Sequence, residues 1–216
     1  MPRIILLGPP GSGKGTQGAI ITHEHDIPVI SSGEALRGHL ESGTPLGQQA
    51  RQYIEAGELV PDDLVIDFVE DLLEEKSGEN GFLLDGYPRT TRQAEALDVW
   101  LAERGLKLDA VFYLEVPREV LLERIANRRA CMSCEEDNKG SDNGRTPDEF
   151  CRVCGSPLVR RTDDEPETAA RRIDIYNERT KPLVDYYANK GILVEIDGRA
   201  DIWAQQEVIN NALGEI

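Results

Sequence analysis

The chain has 216 residues, of which 39% are hydrophobic and 30% are charged, and its formal net charge is −16. This length suits one principal α/β domain with small insertions, the apolar content excludes wholesale disorder, and the lack of an apolar run of about 18 residues excludes a membrane-spanning helix. Because an acidic surface repels the phosphates of DNA and RNA, we expect no nucleic-acid partner, and we expect no membrane partner either.

Short apolar segments alternate along the chain with amphipathic ones. The apolar segments, which favour strands, are residues 4–8, 28–31, 81–85, 110–116 and 192–196. The amphipathic segments, which favour helices, are residues 61–77, 92–104, 118–129, 167–189 and 201–213. Strands that are almost entirely apolar indicate a parallel sheet covered on both faces. Their alternation with helices predicts a doubly wound α/β fold that binds ligands at the carboxyl ends of its strands.

Two segments interrupt this alternation. Residues 31–60 carry turn signals between short helical patterns, and residues 127–162 include a stretch rich in Gly, Asn, Asp and Pro that contains all four cysteines. We therefore expect a core domain built from residues 1–30, 61–126 and 163–216. The two interrupting segments are then insertions, either of which could move relative to the core.

Residues 8–16, with the sequence GPPGSGKGT, join the first strand to the first helical pattern. Glycines let backbone N–H groups converge on phosphate oxygens, the helix N-terminus adds its positive dipole end, and Lys14 adds a point charge. A simple strand-to-helix turn would need neither this many glycines nor the lysine, so we favour a phosphate-binding loop. Gly15 stands where the general pattern has Ser or Thr, and Thr16 follows one position later.

This loop, continued to Gln17, resembles the phosphate loop of the adenylate kinase family, specifically the type with a long zinc-binding lid. The resemblance continues through residues 31–37 (SSGEALR), 84–89 (LDGYPR) and 161–164 (RTDD), and it covers essentially the whole chain. It implies a five-stranded sheet of the P-loop NTP hydrolase type with an NMP-binding insertion and a lid, in a monomer. It also implies reversible, Mg²⁺-dependent phosphoryl transfer from ATP to AMP, which gives two ADP.

The resemblance assigns one group of residues to AMP. It implies that Ser32 contacts the acceptor base, that Arg37 and Arg89 hold the acceptor phosphate, and that Gln93 hydrogen-bonds the adenine edge. The whole implied set is Ser32, Arg37, Glu58, Leu59, Val60, Gly86, Arg89, Gln93, Arg161 and Arg172. Asp85 and Glu34 are implied to orient water bound to magnesium. Without the family, residues 31–33 would be a helix cap and Arg89 a surface charge.

A second group is assigned to ATP. This set is Gly11, Ser12, Gly13, Lys14, Gly15, Thr16, Arg124, Arg128 and Arg199. Arg124 and Arg128 are four residues apart and so share a helix face, where the family stacks donor adenine and contacts donor phosphates. Arg199 is implied to act largely through its backbone.

The implied reaction needs no general base, because its acceptor is already an anionic phosphate. Catalysis is therefore expected to rest on cations that align and neutralise the phosphates. These residues are Lys14, Arg89, Arg124, Arg128, Arg161 and Arg172. Asp163 and Asp164 are expected to pair with arginines when the lid closes. The remaining candidates are interpreted as structural or solvent-exposed: His23, His25, His39, Arg129, Arg160 and Arg171.

Cys131, Cys134, Cys151 and Cys154 form two Cys-x-x-Cys pairs. This spacing predicts a tetrahedral thiolate site with no open position for catalysis, most simply for structural Zn²⁺, with iron and cobalt as alternatives. Disulfides are the other interpretation, and a cytoplasmic location would disfavour them. We expect that location because the short apolar start of the chain lacks the features of a signal peptide.

Two other functions remain open at this stage. A kinase of the same family could act on UMP, CMP or GMP instead, but Ser32, Gln93 and the long cysteine-bearing lid favour AMP. The cysteine pairs could also belong to a zinc ribbon that binds nucleic acid or protein. The net charge of −16 and the complete phosphate site oppose that second interpretation.

Overall fold

The structure, a computed structural model, describes residues 1–76, 81–131, 137–138, 150–151 and 154–214. Its strands are β1 (Arg3–Leu7), β2 (Val29–Ser31), β3 (Phe82–Asp85), β4 (Ala110–Glu115), β5 (Arg129–Cys131), β6 (Asp137–Asn138), β7 (Leu158–Val159) and β8 (Leu193–Asp197). Five of them form a parallel sheet in the order β2-β3-β1-β4-β8. The predicted five-stranded parallel α/β sheet is thereby confirmed.

The helices cover this sheet on both faces. They are α1 (Lys14–His25), α2 (Ser32–Glu41), α3 (Pro45–Ala56), α4 (Asp62–Lys76), α5 (Thr91–Glu103), α6 (Arg118–Asn127), α7 (Pro166–Ile175), α8 (Pro182–Asn189) and α9 (Ile202–Gly214). Among the described residues, no helix combines the length and apolar character needed to cross a membrane.

Strand β1 shows why residues 4–7 are all apolar. Successive side chains of a strand point to opposite faces, so alternate residues enter different cores. Ile5 belongs to the buried cluster that includes residues of α4, α5 and α8, whereas Ile4 belongs to the cluster that includes Ile21 of α1 and Ile209 of α9. A strand buried on both faces has no position left for a polar residue.

The register of the central strands fixes where functional segments leave the sheet. Asp85 at the end of β3 pairs with Leu6 of β1 and with Ser31 of β2. The residues that follow these three strands therefore emerge at the same edge. They are the phosphate loop, the start of α2 and residues 86–89, and this edge is where parallel α/β sheets bind ligands.

Helices α2 and α3 form a hairpin between β2 and α4. Ser31 caps α2 by accepting a hydrogen bond from the Glu34 backbone N–H at 3.4 Å, and Thr44 caps α3 by accepting one from Gly47 at 3.1 Å. Gly57, with φ of 70°, ends α3 in the left-handed conformation. The predicted short helices and turns of residues 31–60 are confirmed.

The sequence predicted one helix over residues 167–189, and this prediction was wrong. A 3₁₀ turn (Thr162–Asp164) precedes α7, and a π-helical turn (Tyr176–Thr180) separates α7 from α8. The Lys181 N–H donates to the Tyr176 carbonyl at 2.9 Å, five residues back. Pro182, which lacks an N–H and clashes with the preceding turn of a continuous helix, begins α8.

Strands β5, β6 and β7 form a small antiparallel sheet within residues 127–162. Each of these strands has only two or three residues. The sequence did not predict this sheet, because two-residue strands carry no detectable alternation of apolar and polar side chains.

Candidate functional site

The phosphate loop lies between β1 and α1. Gly11 and Gly13 have φ of 82° and 103°, in the left-handed region that residues with side chains rarely adopt. A Cβ atom at Gly11 would also lie 2.9 Å from the Ile125 side chain of α6. Helix α1 begins at Lys14, within the last residues of the loop, so the positive end of its dipole lies at this site.

Lys14 is held against the loop that contains it. Its Nζ donates hydrogen bonds to the backbone carbonyls of Gly8 at 2.8 Å and Pro9 at 3.0 Å. Burial, opposed by Asp85 and reinforced by nearby arginines, lowers the pKa of Lys14 to about 8. A nearby anion would stabilise the charged form of this buried lysine, so the site favours a ligand with negative charge.

The carbonyl of Gly86, just after β3, connects two predicted acceptor residues. The Ser32 hydroxyl donates to it at 2.8 Å, and Arg89 Nε donates to it at 2.7 Å. The Arg89 carbonyl in turn accepts from the Thr180 hydroxyl at 2.8 Å. These bonds tie the start of α2, the end of β3 and the π-helical turn into one framework around Arg89.

Two guanidinium groups converge beside Gly33. A Cβ atom at Gly33 would lie 3.4 Å from Arg37 and 3.5 Å from Arg89. Burial, together with the charge of Arg172, lowers the pKa of Arg89 to about 10. Like charges held this close repel each other, and an anion between them would relieve that repulsion.

A single cleft at the carboxyl edge of the sheet brings most of these groups together. Of the predicted site residues, its lining contains Lys14, Ser32, Arg37, Glu58, Leu59, Val60, Gly86, Arg89, Gln93 and Arg172. Four of them are cations, and they come from α1, α2, the segment after β3, and α7. The cleft therefore joins the phosphate loop to the predicted acceptor side.

Buried ion pairs join the end of α6 to the 3₁₀ turn and α7. Arg128 Nε donates to Asp164 at 2.8 Å, and Arg172 contacts Asp163 at 2.8 Å and Asp164 at 3.2 Å. Both aspartates are almost fully buried. Burial alone would raise the pKa of Asp163, but Arg172 and further arginines, including Arg161, hold it below its ordinary value. Asp163 therefore stays ionised, and the ion pairs of both aspartates keep the guanidinium groups in place.

The remaining predicted donor residues differ in their surroundings. Arg124 donates to the carbonyls of Gly198 at 2.9 Å and Ser12 at 3.5 Å, which places it beside the phosphate loop. Arg199 instead pairs with Asp197 at 2.9 Å, and its side chain is 62% exposed. Because the Arg199 side chain is engaged by Asp197, it is the backbone at Gly198 that lies next to the phosphate loop.

Three of the four cysteines lie together beside the small sheet. The Sγ atoms of Cys131, Cys151 and Cys154 all lie within 4.8 Å of one another, and those of Cys131 and Cys154 are 3.3 Å apart. A disulfide would require about 2.05 Å, whereas thiolates about 2.3 Å from one tetrahedral ion lie about 3.8 Å from each other. The cluster therefore has the spacing of a metal site. Cys134 lies outside the described residues.

Comparison with known proteins identifies the family. A model of the adenylate kinase family matches residues 6–192. The chain belongs to the adenylate kinase family. It is 50% identical over 212 residues to the adenylate kinase of Moorella thermoacetica, covering 98% of both chains. It is 45% identical over 213 residues to the adenylate kinase of Clostridium tetani, covering 99% of both chains.

Some contacts of this adenylate kinase family member were missed by the sequence analysis. Asp62 accepts hydrogen bonds from Gln93 and Thr90, although no motif singled it out. Arg171 is largely exposed, as expected, but it also forms an ion pair with Glu58, and both residues line a groove next to the cleft. The only available signal was the position of Asp62 at the first residue of a helix, which suggests a cap and gives no indication of a partner 31 residues away.

Proposed function

We propose that the cleft transfers the terminal phosphoryl group of Mg²⁺-bound ATP to AMP, reversibly, to give two ADP. Membership in the adenylate kinase family makes the chain a phosphotransferase with a phosphate acceptor. The observation that carries the assignment to this cleft is its set of four cations, Lys14, Arg37, Arg89 and Arg172. They surround one space that is continuous from the phosphate loop to the acceptor side.

AMP is proposed to occupy the side of the cleft formed by α2, α3 and the segment after β3. Arg37 and Arg89 would grip its phosphate, since their guanidinium groups converge beside Gly33. Ser32, Gly86, Gln93 and residues 58–60 would surround its base. Leu59 and Val60 supply apolar surface there, and buried Gln93 supplies an amide.

ATP is proposed to occupy the opposite side. The loop residues Gly11, Ser12, Gly13, Lys14, Gly15 and Thr16 would hold its phosphates with backbone N–H groups and the Lys14 ammonium. Arg124 would lie against the donor base and Arg128 would contact the donor phosphates. The segment at Arg199 would meet the donor base through its backbone, since the Arg199 side chain is engaged by Asp197.

Catalysis would rest on alignment and charge neutralisation. Arg161 and Arg172 would join Lys14 and Arg89 around the transferred group, and planar guanidinium forks match its spread of negative charge. No histidine is assigned a role. His39, for example, hydrogen-bonds Thr44 at 2.9 Å and packs edge-on against Phe68, contacts that stabilise the α2–α3 hairpin.

Magnesium is proposed to lie near Asp85 and Glu34. Asp85 ends β3 at the edge of the sheet, and its charge partly opposes the lowering of the Lys14 pKa. A carboxylate therefore lies within electrostatic range of the phosphate loop. Carboxylates that hold metal-bound water suit Mg²⁺, which dehydrates reluctantly. When bound, the ion would neutralise phosphate charge.

The cysteines are proposed to hold structural Zn²⁺, with Cys134 as the fourth ligand. The spacing of the three described sulfurs fits such an ion. Thiolate ligands persist in a reducing compartment, so we also propose a cytoplasmic location, and we propose a monomer. The segment that carries the cysteines would act as a lid that excludes water during transfer.

The decisive experiment is turnover of ATP with AMP, UMP, CMP and GMP, scored as ADP formation. AMP is expected to be the preferred acceptor. Lys14→Ala is expected to lower turnover by at least about 1000-fold, because it removes the cation at the transferred phosphate. Lys107→Ala, which removes an exposed lysine, is the matched control and should retain full activity.

Near-normal turnover in a folded Lys14→Ala variant would contradict the mechanism. A preference for UMP, CMP or GMP would show that AMP is not the acceptor, but the reaction would still be phosphoryl transfer to a nucleoside monophosphate. The rival zinc-ribbon function predicts no turnover and retention of DNA or RNA at modest salt, which the net charge of −16 opposes.

A further inference from the structure

The amide of Gln93 is fixed from both sides. Its Nε2 donates to Asp62 Oδ1 at 2.7 Å, and its Oε1 accepts from the Arg89 backbone N–H at 2.7 Å. Asp62 Oδ1 also accepts from the Thr90 hydroxyl at 3.0 Å. Gln93 is 1% exposed, so water cannot readily replace either partner.

These partners leave the amide only one orientation. A carboxylate can only accept hydrogen bonds, so the Gln93 atom that faces Asp62 must be the NH₂ group. A backbone N–H can only donate, so the atom that faces Arg89 must be the carbonyl oxygen. Rotating the amide by 180° would set oxygen against the carboxylate and NH₂ against the N–H. Two buried contacts would then become repulsive.

The fixed amide keeps one N–H and one acceptor lone pair for a ligand. Adenine presents the matching order, with an exocyclic amino donor next to the N1 acceptor. Hypoxanthine and guanine present the reverse order, with an oxygen acceptor next to an N1–H donor. A base of that second kind, seated in the same position, would meet oxygen against oxygen and N–H against N–H.

We propose that Asp62 is a positioning residue that selects an amino-purine monophosphate over an oxo-purine one by locking the Gln93 amide. This rests on the proposed function, in which Gln93 meets the acceptor base. Gln93 lines the cleft, whereas Asp62 does not; Asp62 lies behind Gln93, at the first residue of α4, and lines a neighbouring groove. Asp62 therefore acts through Gln93.

The test compares AMP with IMP, which carries hypoxanthine, in wild type and in Asp62→Asn. The variant keeps the size of the side chain but can either donate or accept, so only the Arg89 N–H still fixes the orientation of Gln93. We expect the AMP:IMP ratio of kcat/KM to fall about 10-fold, mainly through a higher KM for AMP, because a charge-assisted hydrogen bond is replaced by a neutral one. The KM for ATP should stay unchanged.

Asp63→Asn is the matched control. It removes the same charge one residue away, where the exposed carboxylate pairs with Arg92 and has no hydrogen bond to Gln93. This variant should keep the wild-type AMP:IMP ratio. Equilibrium binding of AMP and IMP, together with thermal unfolding of each variant, separates altered selectivity from impaired folding.

The outcomes distinguish the two levels of the proposal. A wild-type AMP:IMP ratio in folded Asp62→Asn would overturn the role of Asp62 and leave the kinase function intact. Equal losses with AMP, IMP and ATP would show a merely structural role and also overturn it. If wild type forms no ADP from ATP and AMP, the proposed function itself fails, whatever the variant does.

Discussion

Residues 31–60 and residues 127–162, the two segments that interrupt the alternation of strands and helices, have similar lengths but draw on different interactions. Residues 31–60 contribute Leu36, Ala50 and Val60 to the main buried cluster of the protein. The described part of residues 127–162 contributes Ala130 and Cys131 of β5, together with Cys151 outside the named strands, to the interior. Residues 31–60 are therefore stabilised by burial of apolar side chains, whereas residues 127–162 are proposed to depend on a metal ion at their cysteine cluster.

The difference also explains why the cations of the site sit where they do. Arg37 belongs to α2, whose packing into the core holds it beside Arg89. Arg128, just after α6, and Arg172 of α7 are held instead by buried Asp163 and Asp164. Ion pairs thus position the arginines where few apolar side chains are buried. Substitutions can therefore perturb each region separately.

Arg172 is the residue at which the two regions meet. It pairs with Asp163 and Asp164, and its side chain packs against Gly57 at the end of α3. We expect Arg172→Lys to lower turnover about 100-fold or more, because lysine keeps a charge but cannot serve carboxylates and phosphate with one planar fork. Steady-state ADP formation measures this.

Arg179→Lys provides the control for that prediction, since Arg179 is exposed in the π-helical turn and, within the described residues, forms its ion pair with its neighbour Glu178. It should retain wild-type turnover. Comparable activity of Arg172→Lys and wild type would mean that either region can align the phosphates without the other.

The cysteine cluster provides the next largest contrast. Cys151→Ser removes a buried cysteine of the proposed zinc site, and we expect the affinity for zinc to fall more than about 100-fold. Limited proteolysis should then cleave residues 127–162 before the core, and metal chelation of wild type should do the same. Thermal unfolding of the α2–α3 hairpin should stay coupled to the core.

Phe150→Ser, at an exposed neighbouring position, should leave the metal content unchanged. A single cooperative unfolding transition in Cys151→Ser, identical to that of wild type after verified loss of metal, would show that the insertion does not depend on the ion.

Gly47 tests the apolar hairpin in the same way. A Cβ atom there would lie 2.1 Å from the His39 carbonyl oxygen, so Gly47→Ala must push α2 and α3 apart. We expect a loss of about 1–3 kcal/mol in the free energy of unfolding and a higher KM for AMP, with unchanged zinc content. Denaturant unfolding and metal analysis measure the two effects.

Gly38 in α2 is the matched control, because a Cβ atom at Gly38 would meet nothing within 4 Å. Gly38→Ala should stabilise the protein by about 0.5–1 kcal/mol, the usual gain on replacing glycine inside a helix. If both variants behaved alike, close packing of the hairpin would not be what supports the acceptor side.

The same contrast explains what could be predicted from the sequence. The five parallel strands, the phosphate loop and the hairpin depend on apolar runs, glycines and caps that are read locally. The Asp62–Gln93 and Glu58–Arg171 contacts join residues 31 and 113 positions apart, and no local pattern specifies such pairs. The break before α8 was signalled by Pro182, but the apolar periodicity on either side of it favoured a single helix.

The ion pair of Glu58 and Arg171 is an exposed contact between the acceptor side and α7. Both side chains are more than a third exposed, so water and salt screen their attraction. We expect Glu58→Gln to change the KM for AMP by less than about 5-fold, in line with the 0.2–1 kcal/mol typical of exposed pairs, and we expect the change to vanish at high salt. Turnover measured across a salt series checks this.

Glu55→Gln, which breaks the exposed pair with Arg51 within α3, should have no effect on the KM for AMP. A large, salt-independent effect of Glu58→Gln would mean that Glu58 touches the nucleotide itself. The acceptor side would then depend on electrostatic positioning as much as Arg128 and Arg172 do.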